Sequence, residues 1–301
     1  MIQLKKLAIA GAVSAAIFGA ASAEAHVMYN TFTTTAASQT DGWTRTFDGI
    51  DADTIATGPE SQGNKGTLVP WLGTSGNALP SGYTGSSHLN WAATIHGAGN
   101  SLEVSTANAL AEYGVAAEID TGGGAWNDNG LNASGVATTT GPTGWRHQTD
   151  IGLITSEVTQ NVTLNLSTVN GLFSRFGVTV FEGMDTNTGN YSHHGAWNAP
   201  GASTPLPFSA NNPFGTTGLT NIGYSDNVDS ANGYTFVAEA GKIYSIYLGG
   251  VGFSRWNGGV AGYKLDITTS PVPVPAAVWL FGSAMAGMVG FGRRRKAVVA
   301  A

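Results

Sequence analysis

Cysteine is absent from all 301 residues. No disulfide can staple this fold, and any metal site must be built from imidazole, carboxylate, thioether or the chain's own backbone groups. Charge is scarce as well, at 11% of residues. Between residues 26 and 270, seven Lys/Arg stand against eighteen Asp/Glu, a net charge of −11. So acidic a chain has few cations to neutralise phosphates, which excludes nucleic acid as a partner and suits a soluble exported protein that meets cations. Helical periodicity is nearly missing too. The single candidate runs from Leu102 to Ala117, and Gly114 limits it to about three turns. Catalytic signatures are missing: there is no G-x-S-x-G, no H-E-x-x-H and no Gly-rich phosphate loop between a strand and a helix. Glu182 and Asp185 are neighbours in sequence, which says nothing about the spacing an acid/base pair needs. The expectation is a protein that is not an enzyme.

What is abundant is glycine, 43 residues of it, with Thr, Ser and Asn. That profile favours a β-rich extracytoplasmic fold with long polar loops. The strongest strand signals are Val158 to Leu166, Ser174 to Glu182, Tyr234 to Ala238, Lys242 to Leu248 and Gly262 to Ile267. Val162, Leu164 and Leu166 alternate with Thr163 and Asn165, which buries one face and wets the other. No period of 20 to 50 residues repeats, which excludes a solenoid or propeller. The pattern predicts an all-β protein, an antiparallel β-sandwich with long Gly/Asn/Thr-rich loops. Strand signals are dense from Gln148 onward and sparse before it, so residues 26–270 read as one sandwich domain with a loop-rich N-terminal portion.

The two ends have their own grammar. Lys5 and Lys6, the run L-A-I-A-G-A-V-S-A-A-I-F-G-A and the small residues after it have the layout of a secretory signal over residues 1–25. Cleavage after Ala23 or after Ala25 fits the small-x-small rule; the second leaves His26 as the first residue. At the far end, V-P-V-P-A-A-V-W-L-F-G-S opens an apolar stretch from Ala276 to Gly292, closed by Arg293, Arg294, Arg295 and Lys296. Read by itself this is a short C-terminal anchor with its basic end in the cytoplasm. The whole tail, residues 271–301, strongly resembles the PEP-CTERM class of bacterial sorting signals. That resemblance implies recognition by an exosortase, removal of the apolar tail, and attachment at the cell surface or release.

Six histidines are present: His26, His88, His96, His147, His193 and His194. Trp145 and His147 lie two apart in G-P-T-G-W-R-H-Q, so on an extended chain their side chains would share a face. His193 and His194 follow in Y-S-H-H-G-A-W-N. Imidazoles from separate segments are what a copper or zinc site requires. W-x-H followed some 45 to 50 residues later by another histidine resembles the copper-site pattern of methanotroph surface proteins of the MopE/CorA type. The resemblance implies a copper ion held by His147, by His193 or His194, and by Trp145 oxidised to kynurenine, with a calcium ion that steadies the fold. Unmodified, Trp145 offers only a donor N–H and would be a wall of the site, whereas kynurenine carries an aromatic amine that can ligate.

A rival copper site starts from His26. As a first residue it would chelate through its α-amino nitrogen and imidazole, as in histidine-brace proteins, with His88, His96 or His194 as the second imidazole. Asp48, Asp51 and Asp53, and likewise Asn127, Asp128 and Asn129, have the oxygen density of calcium loops, but they fit no EF-hand and read first as turns. Trp43, Trp71, Trp91, Trp126 and Trp197 are candidates for a sugar-stacking platform and, more simply, core anchors. The functional expectation is an exported, cell-surface or secreted copper-binding protein. The alternative is a non-catalytic extracellular-matrix or carbohydrate-binding surface protein.

Overall fold

The structure, a computed structural model, describes residues 25–30, 71–83, 89–128, 143–171, 173–186, 196–197, 217–252 and 260–273, with single positions and short runs besides. In chain order the strands are β1 (His26–Asn30), β2 (Trp71–Leu72), β3 (Trp91–Ile95), β4 (Ser101–Val104), β5 (Asp120–Gly122), β6 (Asn127–Asp128), β7 (Gly144–Trp145) and β8 (Asp150–Ser156). They continue with β9 (Gln160–Thr168), β10 (Phe176–Gly183), β11 (Ala196–Trp197), β12 (Leu219–Val228), β13 (Tyr234–Ala238), β14 (Ile243–Gly252) and β15 (Val260–Pro271). One α-helix, α1 (Thr106–Tyr113), lies among these strands in the described residues.

Two large sheets make the sandwich. One has the order β12-β10-β14-β8-β3-β1-β2, with β6 against the end of β14; the other has the order β13-β9-β15-β4, with β5 beside β15. Pairing is antiparallel apart from β3 with β8 and β6 with β14. Between the sheets lies a core that takes Val27, Tyr29, Trp91 and Ile246 from the first sheet and Val162, Leu164, Phe236 and Leu265 from the second. β9 shows why: Val162, Leu164 and Leu166 are buried while Asn161, Thr163 and Asn165 are half-exposed, the period-two pattern of a strand with one wet face. The first sheet is buried on its other face as well. There Met28, Ala92, Leu153, Phe181 and Tyr247 pack against Trp126, Trp197 and Phe214 from the connecting segments.

The expected strands are present with shifted ends, and β13 occupies the expected residues Tyr234 to Ala238. One expectation is corrected. The helical reading of Leu102 to Ala117 fails in its first turn, because Leu102 and Val104 are the buried alternate positions of a strand paired with β15. Ser105 then caps the real helix, its Oγ accepting from Asn108 N–H at 2.9 Å, and Gly114 ends it at φ 73°. The N-terminal portion contributes β1, β2 and β3, which extend the larger sheet beyond β8.

The chain divides into Met1–Ser270 and Pro271–Ala301. In the second unit Leu280, Phe281, Ser283 and Met285 are helical and exposed. Among the described residues no helix is long and apolar enough to cross a membrane. The leader expected over residues 1–25 lies outside the described residues apart from Ala25.

Candidate metal centre

Trp145 sits at a corner where three segments are tied through backbone oxygens. Trp145 N–H and the Trp197 indole N–H both donate to Ala125 O, at 2.8 and 3.1 Å. The Thr149 hydroxyl donates to the same oxygen at 3.2 Å and to Trp145 O at 2.9 Å. β7 pairs antiparallel with β11, Trp145 opposite Ala196 and Gly144 opposite Trp197. Glycine is required at 144, because a Cβ there would press on Trp126 O and lie 2.6 Å from Trp197 Nε1. The ring of Trp126 lies against Gly177 of β10, where a Cβ would collide with the indole, and its N–H donates to Thr179 Oγ1 at 2.9 Å.

The half-buried Trp145 donates its indole N–H to Asp128 Oδ2 at 2.7 Å. Asp128 is buried, and its other oxygen accepts from Gly130 N–H at 2.9 Å. The acidic turn Asn127-Asp128-Asn129 thus uses its central carboxylate to hold a tryptophan and close a turn; Asn129 lies outside the described residues. His147 falls in the 3-10 turn Arg146–Gln148. The extended chain that would set Trp145 and His147 on one face therefore ends at Trp145, and a turn of three residues per revolution replaces the period of two. The His147 side chain, His193, His194, His88, Asp48, Asp51, Asp53 and Trp43 lie outside the described residues.

His26 and His96 come together at one end of the larger sheet. His26 opens β1 and His96 follows β3, and the two strands pair with His26 opposite Thr94. His96 Nε2 lies 3.4 Å from His26 Nδ1, with the rings stacked at a centroid distance of 5.4 Å. His96 Nδ1 is 2.8 Å from Glu157 Oε1. Glu157 follows β8 and is fixed by its N–H, which donates to Ile95 O at 2.9 Å. The pKa of His26 is lowered first by burial and then by His96, against an opposing pull from Glu112.

A third group was not visible in the sequence. Asp150, fully buried in β8, accepts from the Tyr263 hydroxyl at 2.7 Å, and that hydroxyl accepts the Trp91 indole N–H at 2.9 Å. Burial, with Asp120 and Glu118 adding to it, raises the Asp150 carboxyl well above the usual carboxylate range, although the Tyr263 hydrogen bond works against the shift. Nothing in T-D-I-G-L-I distinguishes this aspartate from a loop residue. Asp185, half of the imagined acid/base pair, is buried and accepts from Ser87 N–H at 2.6 Å, while Glu182 pairs with Lys242 at 2.9 Å. Trp71, Trp91, Trp126 and Trp197 are all buried, as core anchors and not as an exposed platform. Among the described residues no group of three or more His, Asp or Glu gathers around one point.

Fold and site together define a mostly antiparallel β-sandwich with the His147 backbone at a tryptophan-rich corner and the His26–His96 pair at one sheet end. No protein-family description matches the sequence, and no curated protein does. Among solved structures the chain is similar to CorA, described as a surface-associated copper-binding protein important in Methylomicrobium album BG8 copper acquisition. The identity is 12%, the TM-score 0.33, and the match covers 56% of this chain and 92% of that one.

Proposed function

We propose that this is an exported, cell-surface or released copper-binding protein, and that its principal site is the corner that carries Trp145 and His147, completed by His193 or His194. The observation that supports this reading is the pairing of β7 with β11. Ala196 stands opposite Trp145, so His194, two residues before the one, and His147, two residues after the other, are equally displaced from the paired position. Two residues of chain span at most about 7 Å, a length that allows both imidazoles to approach a common ion. The same count favours His194 over His193 as the second ligand.

The residues fit a low-coordinate copper ion. Two imidazoles and a weak third nitrogen are acceptable to Cu(I) and unsuited to calcium or magnesium, which want oxygen. In the unmodified chain the Trp145 indole N–H is a donor already directed at Asp128. It therefore walls and orients the site, and ligation by this residue requires the oxidation that the family resemblance implies. A structural calcium ion and the sorting of the tail by envelope machinery belong to the same proposal, on the same resemblances.

The test is copper affinity and intact mass on protein from its native host. His147→Ala and His194→Ala should each remove most corner binding, with His193→Ala much milder. A mass gain of about 4 Da at Trp145 is expected for kynurenine, whose amine supplies the acceptor that indole lacks. Copper binding undiminished by His147→Ala together with the double His193/His194 replacement would overturn the corner site and leave a matrix or carbohydrate-binding role as the better account.

A further inference from the structure

The imidazole pair at the sheet end is assembled by parts of the fold that the corner does not use. β1, β3 and β8 are consecutive in the larger sheet, and their ends present His26, His96 and Glu157 side by side. The Glu157 carboxylate beside Nδ1 of His96 places that ring's proton on Nδ1, because the carboxylate only accepts. Nε2 of His96 is then left with its lone pair, 3.4 Å from His26 Nδ1. This is the arrangement in which a carboxylate orients a metal-ligating histidine from behind and raises its basicity.

The distance between the facing nitrogens bears on what sits between them. At 3.4 Å they are beyond the usual range of a nitrogen hydrogen bond. With metal–nitrogen bonds of about 2.0–2.1 Å, two nitrogens so spaced subtend an angle of about 110° at a shared ion, which is the angle of a three- or four-coordinate site. We propose that His26 Nδ1 and His96 Nε2 form a second metal site, separate from the corner, that takes a copper ion, with water in the remaining positions and Glu157 as the residue that positions His96.

Copper is the ion of choice because, among first-row divalent ions, it binds nitrogen sites most strongly, and its monovalent form accepts few ligands. Both rings are only partly buried, so an ion can enter from solvent. Nδ1 is also the ring nitrogen that closes a six-membered chelate with the backbone nitrogen of its own residue. A chain whose first residue is His26 would thereby add a third nitrogen, whereas in the full chain that nitrogen is an amide bonded to Ala25.

The site stands apart from the corner, and the experiment keeps the two apart. The full chain carrying His147→Ala, His193→Ala and His194→Ala is titrated with Cu(I) against a competing chromophoric chelator. One equivalent should still bind. Adding His96→Ala or His26→Ala should weaken that binding by about 100-fold or more, since even loss of an outer-shell partner costs about 10- to 100-fold. Glu157→Gln should weaken it by about tenfold, and Glu157→Asp should recover part of the loss. As a measurement free of folding effects, the ring nitrogens of His26 and His96 in the parent protein should shift in NMR spectra on adding Cu(I). No copper bound by the triple variant, binding unchanged by His96→Ala, or ring nitrogens of the pair that do not move would each overturn the proposal, whatever happens at the corner.

Discussion

The corner around Trp145 and the sheet end that carries His26 and His96 are built by opposite means. At the corner the backbone is pinned first: Ala125 O receives three donors, and the indoles of Trp126 and Trp197 lie where only glycine leaves room. At the sheet end, strand register sets His26 beside His96 and His96 beside Glu157. Damage to packing should therefore disable the corner and spare the sheet end. Damage to register should do the reverse.

Gly144→Val should separate the two most strongly. The new side chain meets Trp126 O and the Trp197 indole with no flexible neighbour to give way, so a loss of about 2–4 kcal/mol in urea denaturation is expected. Copper at the sheet end should survive in whatever fraction remains folded. Equal loss at both places would mean that the corner and the sheet end are one cooperative unit. Next comes Asp128→Ala, which removes the acceptor of a half-buried indole N–H and should cost about 1–3 kcal/mol. Tryptophan emission should change with it, and Asp128→Asn should restore part of both.

Asp150→Asn should act with the opposite sign. The folded-state pKa of Asp150 is raised above its unfolded value, so the folded protein holds a proton that the unfolded chain releases. That group costs no stability below the unfolded pKa of about 3.9, and stability falls as pH rises from there toward the folded pKa. Asparagine keeps an oxygen for Tyr263 and carries no charge, so the variant should lose this slope and gain stability relative to the parent at neutral pH. Urea midpoints measured from pH 4 to pH 8 would show it, and parallel profiles for the two proteins would sink the assignment. The smallest effect is expected for Ser105→Ala, which removes the cap of α1 at a cost of about 1 kcal/mol. Copper should stay unchanged at both places, making this the control for general destabilisation.

Legibility follows a related divide. β9, β13, β14 and β15 could be found because β-branched and aromatic residues recur in them at short range. β1 (H-V-M-Y-N) and β3 (W-A-A-T-I) could not, because they are buried on both faces and show no alternation. The parallel partner of β3 is β8, and 54 residues (96–149) lie between the two, so no turn signal announces the pair. Trp145 and His147 stood out by residue type. The Ala125 carbonyl that holds Trp145 did not, since any backbone oxygen looks like any other in a sequence, and Asp128 stood out only as a candidate calcium-loop or turn residue. His26 and His96 were both candidates for one site, but only the register of β1 on β3 joins them.

The parallel pairing of β3 with β8 also sets a clock. A chain that emerges N-terminus first presents His26 early, yet β1 is set between β2 and β3, and β3 is enclosed only when β8, which starts at Asp150, arrives. Long-range strand pairing of this kind is slow, because the loop-closure entropy is spent before the contacts form. Until that moment His26, His96 and Glu157 are three unrelated side chains on a moving thread. Metal captured at the sheet end would thus report on chains that have finished, and an unfinished one would carry no such mark.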